Sequence, residues 1–283
     1  MKTILVPTDF SNNADNALKY AIAIAKTQKA KLILIHAFHI DYLSSTFPAK
    51  FIEKEIQHAQ DRVNNHLRIK AEWIEKSGEI KCDYISELGL ASDVISRTIK
   101  EKKPDLVIMG TQGASGLKGV FIGSTTAKII GKAKCPIIAI PAAAKYHEFK
   151  KILYTTDFHT SDILALEKLI ELVKHFKAHI NITHIYDGEF VEPQKKLLQK
   201  FQEKIERKIK YKDISYHIIR VKNIENELKR LSQRKSNDLL VMSTHSRFLL
   251  DKLMNKSITK KIVSHTNIPL LALQHKEDPL IVI

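Results

Sequence analysis

Short apolar runs separated by longer stretches of helical period set the layout of this chain. Ile4-Leu5-Val6 lies in the first run, a strand near Thr3–Val6. A helix from about Asn12 to Thr27 follows, with Ala14, Leu18, Ala21, Ile22 and Ala25 at helical spacing. Ser11 stands where an N-cap belongs. The pattern then predicts a buried strand at Lys31–Ala37, a long polar helix from about Ala49 to Lys76, a strand near Ile80–Ser86 and a helix near Ser92–Lys102. A strand at Asp105–Met109, a glycine-rich loop, a helix carrying Ala127, Ile129, Ile130 and Ala133, and a strand at Pro136–Ile140 complete the unit. Apolar strands alternating with helices imply an α/β fold, a parallel sheet covered on both faces. In such sheets ligands collect at the carboxyl ends of strands, where the strand order reverses. Thr8 and Asp9, after the first strand, should therefore face the loop after the fourth.

The whole pattern occurs twice. Ile4-Leu5-Val6-Pro7-Thr8-Asp9-Phe10-Ser11 reappears as Ile152-Leu153-Tyr154-Thr155-Thr156-Asp157-Phe158-His159, an offset of 148 (9 to 157). Leu106-Val107-Ile108-Met109-Gly110-Thr111 reappears as Leu239-Leu240-Val241-Met242-Ser243-Thr244, and Cys135-Pro136-Ile137-Ile138-Ala139-Ile140 as Ile268-Pro269-Leu270-Leu271-Ala272-Leu273, both at an offset of 133 (106 to 239). The first copy therefore holds 15 more residues, 148 against 133, between its first strand and its glycine loop. They are expected around Asp41–Lys50, with its Ser44-Ser45-Thr46 and Pro48, and in the helix after it. A lid over the crevice and a plain solvent loop are both compatible with that place. The expected units are 1–146 and 147–283.

Five of the chain's nine glycines fall between Gly110 and Gly123, in GTQGASGLKGVFIGST. Strand, glycine loop and helix start together form a phosphate cradle. Glycines let backbone N–H groups approach an anion, and the unpaired N–H groups and dipole of the helix favour negative charge. The spacing Gly110, two residues, Gly113, nine residues, Gly123-Ser124 resembles the nucleotide-binding signature of the universal stress protein family. Val6-Pro7-Thr8-Asp9 and Cys135-Pro136-Ile137 match its opening and closing blocks. The resemblance covers essentially the whole chain, as a tandem two-domain member.

That resemblance implies two flavodoxin-like (adenine nucleotide alpha hydrolase-like) domains, each a five-stranded parallel sheet with helices on both faces. It also implies ATP as ligand, with or without Mg, and pairing through the last strand. Here the two copies could make that pair within one chain, and a homodimer and an unknown protein partner belong to the same expectation. Carried over by position, Pro7, Thr8 and Asp9 would lie at the adenosine end, and Ala37 or a neighbour would contact adenine through its backbone. Met109 and Gly110 would flank the ribose, and Gly113, Gly123, Ser124 and Thr125 would receive the phosphates. Asp9 also reads as an N-terminal helix charge, and Met109 as a core residue. Lys118 could reach a phosphate or point to solvent.

The second copy departs from the pattern. Ser243, Ser246 and Lys256 replace Gly110, Gly113 and Gly123, and only Ser257 keeps the type of Ser124. Thr156 and Asp157 persist, but Thr155 replaces the proline. The second domain is not expected to bind ATP in the family manner. In the favoured reading Lys256 fills the phosphate position with its own ammonium. In the other, Lys256, Arg247 and His245 hold a different anion.

The rest of the chemistry is sparse. No Walker A lysine, G-x-G-x-x-G or nucleophile elbow occurs. Neither a His-x-Gly-His nor a Ser-Gly-Gly-x-Asp-Ser motif supports nucleotidyl transfer. No residue is marked as a base for activating water, so no catalytic residue is assigned, and a slow ATPase is only the alternative reading. His36 and His39 lack a carboxylate pair, and no metal site is expected. The formal charge of +15 invites an anionic-surface or nucleic-acid partner. Yet residues 1–146 carry 21 basic and 14 acidic side chains and residues 147–283 carry 25 and 17, so the excess is spread evenly. Nucleic acid is therefore not the expected partner. No apolar run reaches the roughly 20 residues of a membrane span. Two cysteines, Cys82 and Cys135, are too few for a disulfide framework, and a cytoplasmic location with reduced thiols is expected.

Overall fold

A computed structural model of the chain describes residues 1–40, 48–112, 123–159, 161–233, 236–243 and 267–273. The first copy runs β1 (Thr3–Pro7), α1 (Asn12–Gln28), β2 (Lys31–Phe38), α2 (Ala49–Gly78), β3 (Cys82–Leu88), α3 (Ala91–Lys102), β4 (Leu106–Gly110), α4 (Ser124–Lys132) and β5 (Ile137–Ile140). The second runs β6 (Lys151–Thr155), α5 (Ser161–Val173), β7 (His179–Tyr186), α6 (Glu192–Lys208), β8 (Ile214–Arg220), α7 (Ile224–Gln233), β9 (Leu239–Ser243) and β10 (Leu270–Leu273). No helix among the described residues is long and apolar enough to cross a membrane.

All ten strands form one sheet, ordered β3-β2-β1-β4-β5-β10-β9-β6-β7-β8. Within each copy every pairing is parallel, and the strand order reverses between the first and fourth strands. The copies join through their last strands, which run antiparallel, with Ala139 opposite Leu270 and Ile137 opposite Ala272. Each of these strands is apolar throughout and buried on both faces, so the joint is a sheet interior rather than an edge.

The two faces are covered differently. On one, a single apolar layer passes from α1 and α2 to α5 and α6. The linking segment seals it. Phe149 lies between Tyr20 of the first copy and Phe176 of the second, and the Tyr20 hydroxyl donates to the Lys145 carbonyl (2.9 Å). Gln28 of α1 donates to the Leu172 carbonyl of α5 (2.8 Å). The opposite face has two separate layers, one under α3 and α4 and one under α7.

The length difference lies mainly in one helix. α2 has 30 residues and its counterpart α6 has 17. Its buried positions, Leu67, Ala71 and Ile74, are confined to the half nearest β3. The half beginning at Ala49 buries nothing fully and extends the helix at the carboxyl edge of the sheet, where a connection leaving β2 must begin. Residues 41–47 of the expected insertion lie outside the described residues. β3 starts two residues later than its hydrophobicity suggests, because Glu79 caps α2 in the left-handed region (φ 52°) and buried Ile80 serves the turn.

Candidate functional site

The crevice is built where β1, β2 and β4 end. Pro7 pairs with Ile35, and Leu5 with Val107. Continuing those registers sets Pro7 level with Met109, Thr8 level with Gly110, and Ala37 level with Asp9. The structure thus gathers Pro7, Thr8, Asp9, Ala37, Met109 and Gly110 at one edge. The Met109 side chain is 4% exposed within the layer under α3 and α4, so the core reading describes that side chain. Gly113 and Lys118 lie outside the described residues.

After β1 the chain makes a tight turn. Thr8 Oγ1 accepts from the Phe10 amide (3.1 Å), Asp9 Oδ1 accepts from the Ser11 amide (3.0 Å), and Phe10 adopts a left-handed φ of 62°. A non-glycine residue there is uncommon and costs energy that neighbouring contacts must offset. Here Phe10 stacks on His36 at 4.5 Å and meets His66 of α2 edge-on at 5.6 Å. The His36 Nδ1 faces the Thr8 carbonyl at 2.8 Å, so it carries the proton and donates. Ser11 then caps α1, its Oγ accepting from the Ala14 amide (3.2 Å).

After β4 the backbone is crowded. A Cβ on Gly110 would lie 2.6 Å from Asn13 Nδ2 and 2.9 Å from its Cγ. Asn13 is buried and its amide donates to the Gln112 carbonyl (3.0 Å), tying the start of α1 to the loop after β4. Its Oδ1, also buried, has no hydrogen-bond partner among the described residues. Thr126 donates to the Gly110 carbonyl (2.9 Å). Gly123 is the N-cap of α4 and offers no side chain to it, and a Cβ there would come within 3.2 Å of the Thr111 carbonyl oxygen. The first turn of α4 carries no acidic residue, and its first helical bond is the Ala127 amide to Gly123. The amides of Ser124, Thr125 and Thr126 thus precede the ladder, at the positive end of the helix. Ser124 is exposed and Thr125 half-buried.

Two contributors are absent from the glycine signature. Asn13 carries no short motif, and its place becomes visible only beside Gly110. His36 had a readable signal: it recurs at the offset of 148 as His184, whose Nδ1 donates to the Thr156 carbonyl (2.7 Å). The second copy also repeats the turn itself. Thr156 Oγ1 accepts from the Phe158 amide (2.9 Å), Phe158 has φ 61°, and its ring lies 4.4 Å from His184.

Beyond that turn the second copy differs. Thr156 also donates to Asp162 Oδ2 (2.6 Å), a carboxylate only 2% exposed. Burial raises the Asp162 pKa above the usual carboxylate range, and nearby Asp157 adds to the rise. The Thr156 hydrogen bond and the neighbouring Ser243 hydroxyl pull the other way, although Ser243 Oγ stands short of full hydrogen-bond geometry. Ser243, in place of Gly110, is 1% exposed. His245, Ser246, Arg247, Lys256 and Ser257 lie outside the described residues. Neither thiol is poised for nucleophilic chemistry, since burial pushes Cys82 up to about 12 and Cys135 up to about 11.

Comparison with known proteins agrees with this fold. The model of the universal stress protein family matches residues 1–141 and again 148–274. The chain belongs to that family, as a tandem of two of its domains. A universal stress protein of Thermus aquaticus is 28% identical over 141 residues, which is 49% of this chain and 98% of that protein. One of Methanocaldococcus jannaschii is 28% identical over 152 residues, covering 49% and 94%. A crystal structure of a universal stress protein from Archaeoglobus fulgidus spans 98% of this chain and 97% of its own, with a TM-score of 0.70 at 17% identity, and so shares the two-domain fold.

Proposed function

We propose that this protein binds one ATP per chain, in the first copy, and acts in stress as a nucleotide-responsive regulatory or protective protein. Family membership supports the stress-related role. The contrast between Gly110 and Ser243 carries the assignment to one copy: equivalent strand ends, with bare backbone that lets the buried Asn13 amide lie against it in the first and a buried side chain in the second. The residues of the first copy fit a nucleotide. The uncapped start of α4 suits phosphate, and the orphaned Asn13 Oδ1 suits a hydroxyl or amino donor.

In this reading Pro7, Thr8, Asp9 and Ala37 hold the adenosine side, with Asp9 accepting from a hydroxyl or amino group. Met109 contributes backbone, beside Gly110, at the ribose. Gly113, Gly123, Ser124 and Thr125 donate to the phosphates, where Mg would add positive charge if bound. The functional units are 1–146, with an intact loop, and 147–283, with a degenerate one. Bridging the ends of β1 and β4 would change the surface shown to a protein partner, in a cytoplasmic setting. Calorimetry tests the proposal. A stoichiometry near one, abolished by Gly113→Ala combined with Gly123→Val, is expected; two equal sites would overturn it.

A further inference from the structure

At the opposite edge of the sheet, where β1 and β2 begin, the first copy carries an open pocket of 920 Å³. Six lysines line it: Lys2, Lys26, Lys29, Lys31, Lys76 and Lys81. Glu79 is the one acidic residue in that lining. The carboxylates nearby are already engaged. Asp83 pairs with Lys31 (2.5 Å), Asp105 accepts from the Lys2 and Thr3 amides, and Glu75 accepts from the Cys82 amide. Among the described residues, Lys2, Lys29, Lys76 and Lys81 have no carboxylate within salt-bridge reach.

Lysines commonly gather at helix carboxyl ends to meet the dipole, and α1 and α2 both end here. That need is small, because each helix end carries only about half a negative charge. The second copy meets it too, with Lys174 and Lys177 in the places of Lys26 and Lys29, and Lys208 in that of Lys76. There, however, the corner is filled. Ile209 and Tyr211 pack against the apolar layer, the Tyr211 hydroxyl donates to the Ala178 carbonyl, and Asp213 pairs with His179. In the first copy Ser77, Glu79 and Lys81 stand in the places of Ile209, Tyr211 and Asp213, and Ile80 turns inward against Gly78 and the apolar layer. The helix-end lysines are common to both copies; the open basic cavity follows from what the first copy omits.

We infer that this cavity is a second anion site, remote from the strand-end crevice, that takes a compact polyvalent phosphate such as a short polyphosphate or a highly phosphorylated small molecule. Lysines gathered around one concavity sum their potentials over a small volume, and five of the six are exposed and within reach of a ligand from solvent. A compact ligand matches this convergence, whereas an extended nucleic acid would use a stripe of charge along a surface.

The test is calorimetric titration of the full chain with inorganic tripolyphosphate, with and without saturating ATP. Saturable binding should persist with ATP present. It should weaken at least about tenfold in Lys76→Glu/Lys81→Glu and fall with added salt. Thermal melting checks that the variant folds, and the milder Lys76→Ala/Lys81→Ala should give a smaller loss in the same direction. Lys174→Glu/Lys208→Glu in the second copy should leave binding unchanged. Binding abolished by ATP, binding insensitive to the first pair of reversals, the absence of saturable binding, or tighter binding of a short DNA duplex would each overturn the inference. A failure of ATP to bind at all would count against the crevice alone.

Discussion

At the carboxyl edge of the first copy Gly110 ends β4 beside Asn13; at the matching place in the second copy Ser243 ends β9 near Asp162. The turns bordering these places are near duplicates, down to the left-handed phenylalanine and the histidine bonded to a threonine carbonyl. The shared turn therefore cannot be what distinguishes a ligand site. It is scaffold, kept because it shapes the backbone leaving the first strand of each copy. The difference lies in what fills the space beside it. The first copy leaves a buried acceptor unpaired against bare backbone, an arrangement that a ligand's donor would complete. The second fills the space with a serine side chain, its Oγ likewise buried without a full hydrogen bond, and with a carboxylate bonded to Thr156.

The largest effect is expected from uncoupling the copies. Phe149 is 2% exposed and touches rings from both. Phe149→Ala should cost about 3–5 kcal/mol, read by urea denaturation. A splitting of one transition into two would show that the shared layer makes the copies cooperate.

Exchanging the strand-end residues tests the comparison itself. Gly110→Ser would drive its Cβ into Asn13, so it should destabilise the chain by about 1–3 kcal/mol and weaken ATP binding by about tenfold or more. The reciprocal Ser243→Gly should create no ATP site, since the rest of that pocket has changed as well. Calorimetry on both variants decides; undiminished binding to Gly110→Ser would remove the basis for assigning one site.

Asp162 should tilt the pH dependence. Its pKa is raised in the folded chain, so in the window between the ordinary carboxylate value and the raised one the native state holds more protons than the unfolded state. Stability from this group is then lost as pH rises through that window. Asp162→Asn should flatten the slope in denaturant melts across acidic to neutral pH. An unchanged slope would show that folding does not raise the Asp162 pKa. The smallest effect belongs to Ser11→Ala, which removes the cap of α1 at a cost of about 1 kcal/mol, visible as a shift in the urea midpoint.

Much of this was legible in the chain. Three blocks repeated in order gave the duplication, and strand–helix alternation gave the parallel sheet, because burial on both faces leaves a continuous apolar run that periodicity detects. The glycine spacing led to the crevice because backbone approach depends on residues without a Cβ. Asn13 was not legible, since its importance comes from facing Gly110 across a gap of 97 positions (13 to 110). Met109 could not be assigned from its position, because sequence alone does not say which face of β4 a side chain takes.

The sequence by itself determined that there are two copies, what elements each contains, and that the second lost its glycines; these are local properties, set by period and side-chain volume. Tertiary structure decided how the copies meet, through antiparallel β5 and β10, and that one apolar layer spans both on a single face of the sheet. It also decided that Ile209 and Tyr211 pack over a corner where the first copy has Ser77 and Glu79, and that Asp162 comes to rest beside Thr156. Those outcomes depend on distances between residues far apart in the chain, and such distances exist only once the sheet has assembled.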